Sequence, residues 1–512
     1  MAWTVVGGWI ALSLALVALY IWRNDRCLTH IPERASAFSP TRLTSGLVEK
    51  QAEEIRARST PISVADQIPP RTGRRYIVIG GAGFLGGWIV VQLLERGEDP
   101  KRIRVLDIQS PTRPDLKTGR AAEVHFIKCD ISNRAAVFDA FHAPWPASEP
   151  TSETTIFHTA ANIRFYEKRE SLLPASAAVN VQGMQNILDA GREIGASVMV
   201  STSSGSVSIR STRFLLWPWE SEPHLFVQPI NEDDSIIPTR HEQFFSNYAA
   251  TKFQGEERVR AADKTPSGSG LLRTGVLRPG NGVFGPGGDM LCGAFLLRKV
   301  NPTWLQSIVQ NFVYVENCAL AHLLYEQRLI ELSTGGTNPD IGGQAFVIAD
   351  PCPPPTYGDV YLTLSTLMDG ETLFPFLSPT LMILVAHLIE WYYLATKSKL
   401  LSFLPRLSGD LVNLQPSLFN LVSVHLIFDD SKARLPPEKG GLGYKGGWTT
   451  FEGLYKTVDE HRRGTLRSEQ RSDVAGISLG FGLGKAQRGM AKVNEKIKDK
   501  VGVDPALALG KT

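Results

Sequence analysis

The run YIVIGGAGFLGG, from Tyr76 to Gly87, constrains this chain more than any other feature. Four strand-forming residues end in Gly80-x-x-Gly83-x-x-Gly86, and a helical pattern from Trp88 to Arg96 follows. In that order Gly80 permits a tight turn, Gly83 lets backbone approach a pyrophosphate, and Gly86 lets the helix pack closely on the sheet. The helix amino terminus then meets the phosphates. Glycine-rich turns are common, so the expectation of nucleotide binding rests on the strand-turn-helix context. Phe84 and Leu85 within the turn join the three glycines as cofactor-binding candidates.

Apolar runs at Tyr76–Gly80, Ile103–Asp107, Val124–Lys128, Thr154–Thr159, Val198–Thr202 and Gly275–Arg278 alternate with helical patterns. Continuous Val/Ile runs of this kind imply a parallel sheet covered on both faces, an α/β Rossmann-type doubly wound fold. Asp107 ends the second run about 20 residues past the glycines, where a carboxylate accepts hydrogen bonds from the adenosine ribose and repels a 2′-phosphate. That favours NAD over NADP, although Arg113 or Lys117 in the next loop could turn toward a phosphate. Asp130 and Ile131 are placed to touch the adenine edge, with capping of a helix starting near Asn133 as the alternative role for Asp130. Ala160 and Ala161, in FHTAA, let a strand end pass under the cofactor.

The run VSTSS ends in hydroxyls at Ser204, and Tyr248-Ala-Ala-Thr-Lys252 lies on a helical pattern. A spacing of four puts the phenol and the ammonium on one helix face. The Lys252 charge is expected to lower the phenol pKa of Tyr248, making it a proton acceptor, while Ser204 bonds the substrate oxygen and Lys252 holds the nicotinamide ribose. Such pairs are cheap: Tyr393 and Lys397 match too, but follow an apolar stretch with no hydroxyl-tipped strand, and read as a membrane or pocket segment.

Residues Ala2 to Trp22 carry no charge and would span about 30 Å as a helix at about 1.5 Å per residue, enough to cross a bilayer. Trp3, Trp9, Tyr20 and Trp22 lie toward its ends, and Arg23 and Arg26 follow at once, which places the rest of the chain in the cytosol. A cleaved signal peptide would want a basic start, a shorter apolar run and a small-x-small site, all missing or poor here. The divisions expected are an anchor (1–26), a polar linker (27–74) with a weak helix from Leu47 to Arg58, a dinucleotide-binding domain (75–280) and a smaller substrate-binding region (281–460). A basic, disordered tail (461–512) follows, with an amphipathic piece from Lys485 to Lys500. Ser206–Glu242 breaks the βα alternation and reads as a lid or pocket wall; the apolar segment 373–396 reads as membrane-associated.

Charge and cysteines exclude other classes. A formal net charge of +3 over 512 residues gives no field for nucleic acid. From His461 onward eleven Lys/Arg face five Asp/Glu, so the tail is basic and the body slightly acidic. Five scattered cysteines suggest neither a disulfide framework nor a metal site, and fit a reducing compartment.

Together GGAGFLG, Asp107, HTAA, Asn180-Val-Gln-Gly183, the Ser204/Tyr248/Lys252 set and LRPGNGVFGPGG, which includes Pro279, resemble the extended short-chain dehydrogenase/reductase family. Within it FVYVENCALAHLL, QAFVIAD and SKARLPPEKGGLGYKGGWTTFEG resemble the 3β-hydroxysteroid dehydrogenase branch, including the sterol-4α-carboxylate 3-dehydrogenases. The resemblance covers roughly residues 75–460 and adds Asn180 and Pro279 to the cofactor-binding candidates. It implies oxidation of a sterol 3β-hydroxyl to the 3-ketone with NAD, or NADP, and loss of CO2 where a 4α-carboxylate makes the product a β-keto acid. It further implies a sterol-like lipid substrate, the endoplasmic reticulum membrane as location, and a homodimer or association with other membrane-bound sterol enzymes. Ile79 replaces the threonine usual before the first glycine. Three rivals stay open: a ketoreductase of secondary metabolism, a nucleotide-sugar epimerase, and a non-enzymatic dinucleotide sensor.

Overall fold

The computed structural model describes residues 2–146, 153–401, 403–407 and 409–464. The tail beyond 464, with the basic piece Lys485–Lys500, lies outside the described residues. Six apolar runs form parallel strands within a residue or two of their expected bounds, except where the last is longer: β1 (Arg75–Ile79), β2 (Ile103–Asp107), β3 (His125–Lys128), β4 (Thr154–His158), β5 (Val198–Thr202) and β8 (Gly270–Pro279). Strand β6 (Val227–Ile230) stands apart from this sheet, and β7 (Thr265–Ser267) folds back on β8 as an antiparallel hairpin. The parallel order is β3-β2-β1-β4-β5-β8-β11, where β11 is Ala345–Ile348. All pairings along this order are parallel, and every residue of β4, β5 and β11 is buried.

The strand β11, from the region after residue 280, completes the sheet beside β8. Two short parallel pairs also knit the halves together: β9 (Val283–Phe284) with β10 (Val313–Tyr314), and β6 with β12 (His425–Phe428). Apolar clusters cover the two faces of the sheet, one through Val78, Val105, Phe157 and Val200, the other through Ile77, Ile79, Ile156 and Met199. That is the alternation of strand side chains, doubled because both faces are dry. A third cluster fills the later region around Phe295, Trp304, Tyr361 and Phe419.

Two further expectations change. The amino-terminal helix runs from Ala2 to Thr29, past the apolar segment, and residues 27–74 are bound to the body instead of forming a loose linker. Arg42 and the Leu43 amide reach the Asp359 carboxylate at 2.9 and 2.8 Å, Arg58 pairs with Glu452 at 2.7 Å, and Gln67 donates to the Gly446 carbonyl. The weak helix is Ser45–Ala57, capped by Thr44.

Candidate active site

The turn after β1 brings the glycines together as the sequence requires. Gly80 has φ +79°, and a Cβ there would lie 2.8 Å from the Ala160 amide nitrogen; at Gly86 it would lie 2.3 Å from the Gly80 carbonyl oxygen. The helix begins at Phe84, one turn before the expected Trp88, and ends at Glu95. Gly83 is its N-cap and supplies no side-chain acceptor, and the first turn carries no acidic residue. Its leading amides are therefore left for an anionic group.

Asp107 ends β2 beside this turn, its carboxylate accepting from the Ala82 amide at 3.2 Å and the Gln109 amide at 3.2 Å. Arg113 is committed elsewhere: it donates to the Phe84 carbonyl at 3.1 Å, pairs with Asp115 and stacks 5.0 Å over Trp88. Asp130 is exposed and closes its own turn on Ser132, at 2.9 Å to the amide and 2.7 Å to the hydroxyl. The helix cap is Asn133 itself, which accepts from the Ala136 amide, so the capping alternative for Asp130 does not hold. Ile131 is buried against Gly183.

Ala160 and Ala161 follow β4, whose end is tied to β1 through the Thr159 amide and the Ile79 carbonyl. Asn180 sits in a π turn, Ala178–Gly183, with its amide group braced across to Asn162 at 2.8 and 3.1 Å and to Thr251 at 3.0 Å. Asn180 thus joins the loop after β4 to the helix bearing Tyr248. Pro279 ends β8, buried, next to Gly205, where an added Cβ would stand 2.9 Å from the Pro279 carbonyl.

The helix Asn247–Ala261, capped by Ser246, carries Tyr248 and Lys252 one turn apart. Ser204 stands beside the Tyr248 phenol and lowers its pKa. Ser204 also shares a 2.7 Å bond with Ser206 and caps the turn Gly205–Ser208. The Lys252 ammonium is buried and donates to the Thr202 carbonyl at the end of β5 at 2.7 Å. Burial pushes the phenol up to about 12, partly offset by Ser204. Burial pulls the ammonium down to about 8 against the opposing charge of Glu256. The Lys252 proton is directed at a backbone carbonyl, and desolvation decides the direction in which the phenol moves.

Sequence reasoning missed the support behind Lys252. The Thr202 hydroxyl bonds His322 Nε2 at 2.7 Å, and His322 Nδ1 meets the Cys318 carbonyl at 2.8 Å. His322 lies on the helix Val315–Ser333, where a histidine among apolar neighbours was the available signal. His158, the last residue of β4, is buried and held neutral, down to about 3, by desolvation and by the Lys252 charge. Arg278 on β8 and Glu256 on the helix bearing Tyr248 form a buried pair, 3.0 and 3.1 Å apart, that pins the helix to the sheet. The second Tyr-x-x-x-Lys pair has another role: the Tyr393 hydroxyl donates to Glu167 at 2.5 Å, and Lys397 lies over its ring. Among the described residues no group of three or more His, Cys, Asp or Glu is arranged to hold a metal ion.

The chain is 27% identical over 419 residues to 3beta-hydroxysteroid-dehydrogenase/decarboxylase isoform 2 of Arabidopsis thaliana, covering 78% of this chain and 64% of that one. It thus spans a little under two thirds of that relative's length. It is 28% identical over 290 residues to a decarboxylating sterol-4-alpha-carboxylate 3-dehydrogenase of Candida albicans, covering 54% of this chain and 70% of the other. The fold matches an epimerase from Methanothermobacter thermautotrophicus with a TM-score of 0.51 at 16% identity, over 79% of this chain and 97% of that chain. At that identity the likeness speaks for the fold alone. Residues 77–373 match the model of the 3-beta hydroxysteroid dehydrogenase/isomerase family, and the chain belongs to that family of oxidoreductases acting on CH–OH groups.

Proposed function

We propose that this protein is a membrane-anchored, NAD-dependent dehydrogenase that oxidises the 3β-hydroxyl of a sterol-like lipid to the 3-ketone. The observation that carries the reading is the meeting of Ser204, Tyr248 and the Lys252 helix at the end of β5, two strands from the glycine turn on β1. The residues fit a dinucleotide: the uncapped helix start suits a pyrophosphate, and Asp107 at the end of β2 suits a ribose diol. When bound, the cofactor supplies the hydride acceptor. The chain's own part is to accept the carbinol proton at Tyr248 Oη, orient the substrate oxygen from Ser204, and hold positive charge at Lys252 Nζ.

Two finer readings go with it. Arg113 is bound to Phe84 and Asp115, which supports NAD over NADP. The names of the relatives support a 4α-carboxysterol substrate, whose 3-ketone is a β-keto acid that loses CO2 without a further catalytic residue. The helix Ala2–Thr29, long and apolar enough to cross a bilayer, supports an anchor in the endoplasmic reticulum membrane with the body cytosolic.

The test is turnover of a sterol extract with NAD+ and NADP+ side by side, with products read by mass spectrometry. Oxidation with NAD+ and loss of CO2 selects the carboxysterol role, and loss of two hydrogens selects a plain hydroxysteroid dehydrogenase. NAD(H) binding without turnover that depends on Tyr248 would leave a dinucleotide sensor.

A further inference from the structure

The helix Pro379–Lys397 is apolar on two opposite faces. Met382, Ile383, Ala386 and Ile389 are buried against the body, while Leu381, Leu384, Leu388 and Trp391 point outward, 48, 42, 60 and 64% exposed. Spacings of three and four put the second set on one stripe. A helix apolar all round is normally covered all round, so this stripe lacks its second cover. Yet the helix is not among the segments long and apolar enough to cross a bilayer.

The insertion Ser206–Glu242 supplies a neighbouring patch. Trp217 and Trp219 are exposed and stacked, ring centres 5.5 Å apart. Both features meet at the root of the amino-terminal helix. The buried Asn24 amide donates to the Phe214 carbonyl at 3.0 Å and to the Thr380 hydroxyl at 2.8 Å, and its oxygen accepts from the Leu216 amide. Asp25 accepts from the Thr380 amide, and the Tyr20 hydroxyl donates to the Leu216 carbonyl. One polar knot at residues 20–25 therefore holds the end of the anchor between the tryptophan pair and the start of the platform helix.

We infer that these surfaces form one lipid-binding platform, on which the body lies in the headgroup region of the same bilayer that the anchor crosses. The inference rests on the anchor reading. Three observations select phospholipid as the occupant. The apolar stripe is continuous with the anchor helix through Asn24 and Thr380. Paired tryptophans suit the membrane-water boundary. Exposed basic groups at Arg26, Lys397, Lys399 and Arg406 flank the stripe, complementing anionic headgroups, with Glu390 the acidic exception on the helix and His387 beside it at 3.8 Å. The clamp at Tyr393 continues inward. Its hydroxyl bonds Glu167, whose carbonyl accepts from the Asn247 amide at the start of the catalytic helix.

The test places a nitroxide label on Leu388→Cys or Trp219→Cys in the full chain, reconstituted in vesicles of phosphatidylcholine with phosphatidylserine. Both sites are expected to lose accessibility to a water-soluble nickel chelate and gain collisions with oxygen, relative to the same label on Leu271→Cys, an exposed position on the β7–β8 hairpin. Carbonate washing reads the anchor separately. Full nickel access at 388 and 219 in protein that resists washing overturns the platform and keeps the anchor. Shielded labels in protein that washes off keep the platform and overturn the spanning helix; open labels in protein that washes off overturn both.

Discussion

Burial favours the neutral form of both proton-handling side chains, moving the phenol of Tyr248 up to about 12 and the ammonium of Lys252 down to about 8. Lys252 is positively charged below its pKa and neutral above it. Its charge is what a ribose hydroxyl or a developing phenolate would feel. NAD affinity is therefore expected to be highest below pH 8 and to fall as pH rises through about 8, following one proton. Titration calorimetry between pH 7 and 9.5 measures it; in Lys252→Met the affinity should be lower and flat with pH. A wild-type affinity that holds constant across this range would remove the charge from the binding argument. For Tyr248→Phe the prediction separates binding from chemistry. Loss of the proton acceptor should cut kcat by about 10²–10⁴-fold while leaving the NAD dissociation constant unchanged, read by stopped-flow turnover and by calorimetry.

At the scale of elements, the glycine turn is the part whose substitution has the clearest cost. A methyl group on Gly86 would stand 2.3 Å from the Gly80 carbonyl and 2.7 Å from the Thr159 hydroxyl, and backbone cannot yield as a side chain would. Gly86→Ala should lower stability by about 1–3 kcal/mol in denaturant melts and weaken NAD binding beyond that loss, because the helix start shifts away from β4. The same turn shows how much sequence discloses. Strands β1, β4 and β5 were legible because their β-branched and aromatic runs are buried on both faces. The helix start at Phe84 was not, since glycines in the first turn hide helical propensity behind turn chemistry. β11 escaped because pairing over some 70 residues, Val276 beside Ala345, has no local signature. Ser204, Tyr248 and Lys252 were readable as candidates by type and spacing. The carbonyl that takes the Lys252 proton was not, since backbone acceptors carry no letter in the sequence.

For the molecule as a whole, the anchor divides at Tyr20. Tyr20, Arg23, Asn24 and Asp25 bind the base of the helix Ala2–Thr29 to the body. The outer turns are exposed; Trp3, Trp9 and Leu14 are each more than 60% accessible. Removing residues 1–19 should therefore leave the unfolding midpoint and NAD affinity unchanged in detergent while abolishing resistance to carbonate. Removing residues 1–30 takes away the three bonds of the buried Asn24 side chain. At about 0.5–1.5 kcal/mol net for each such bond, stability should fall by roughly 2–4 kcal/mol. The insertion that holds Trp217 and the start of the platform helix should lose protection from hydrogen exchange together, because Asn24 is their common partner. Equal stability of the two truncated forms would show that the knot at residues 20–25 joins surfaces that are already fixed without it.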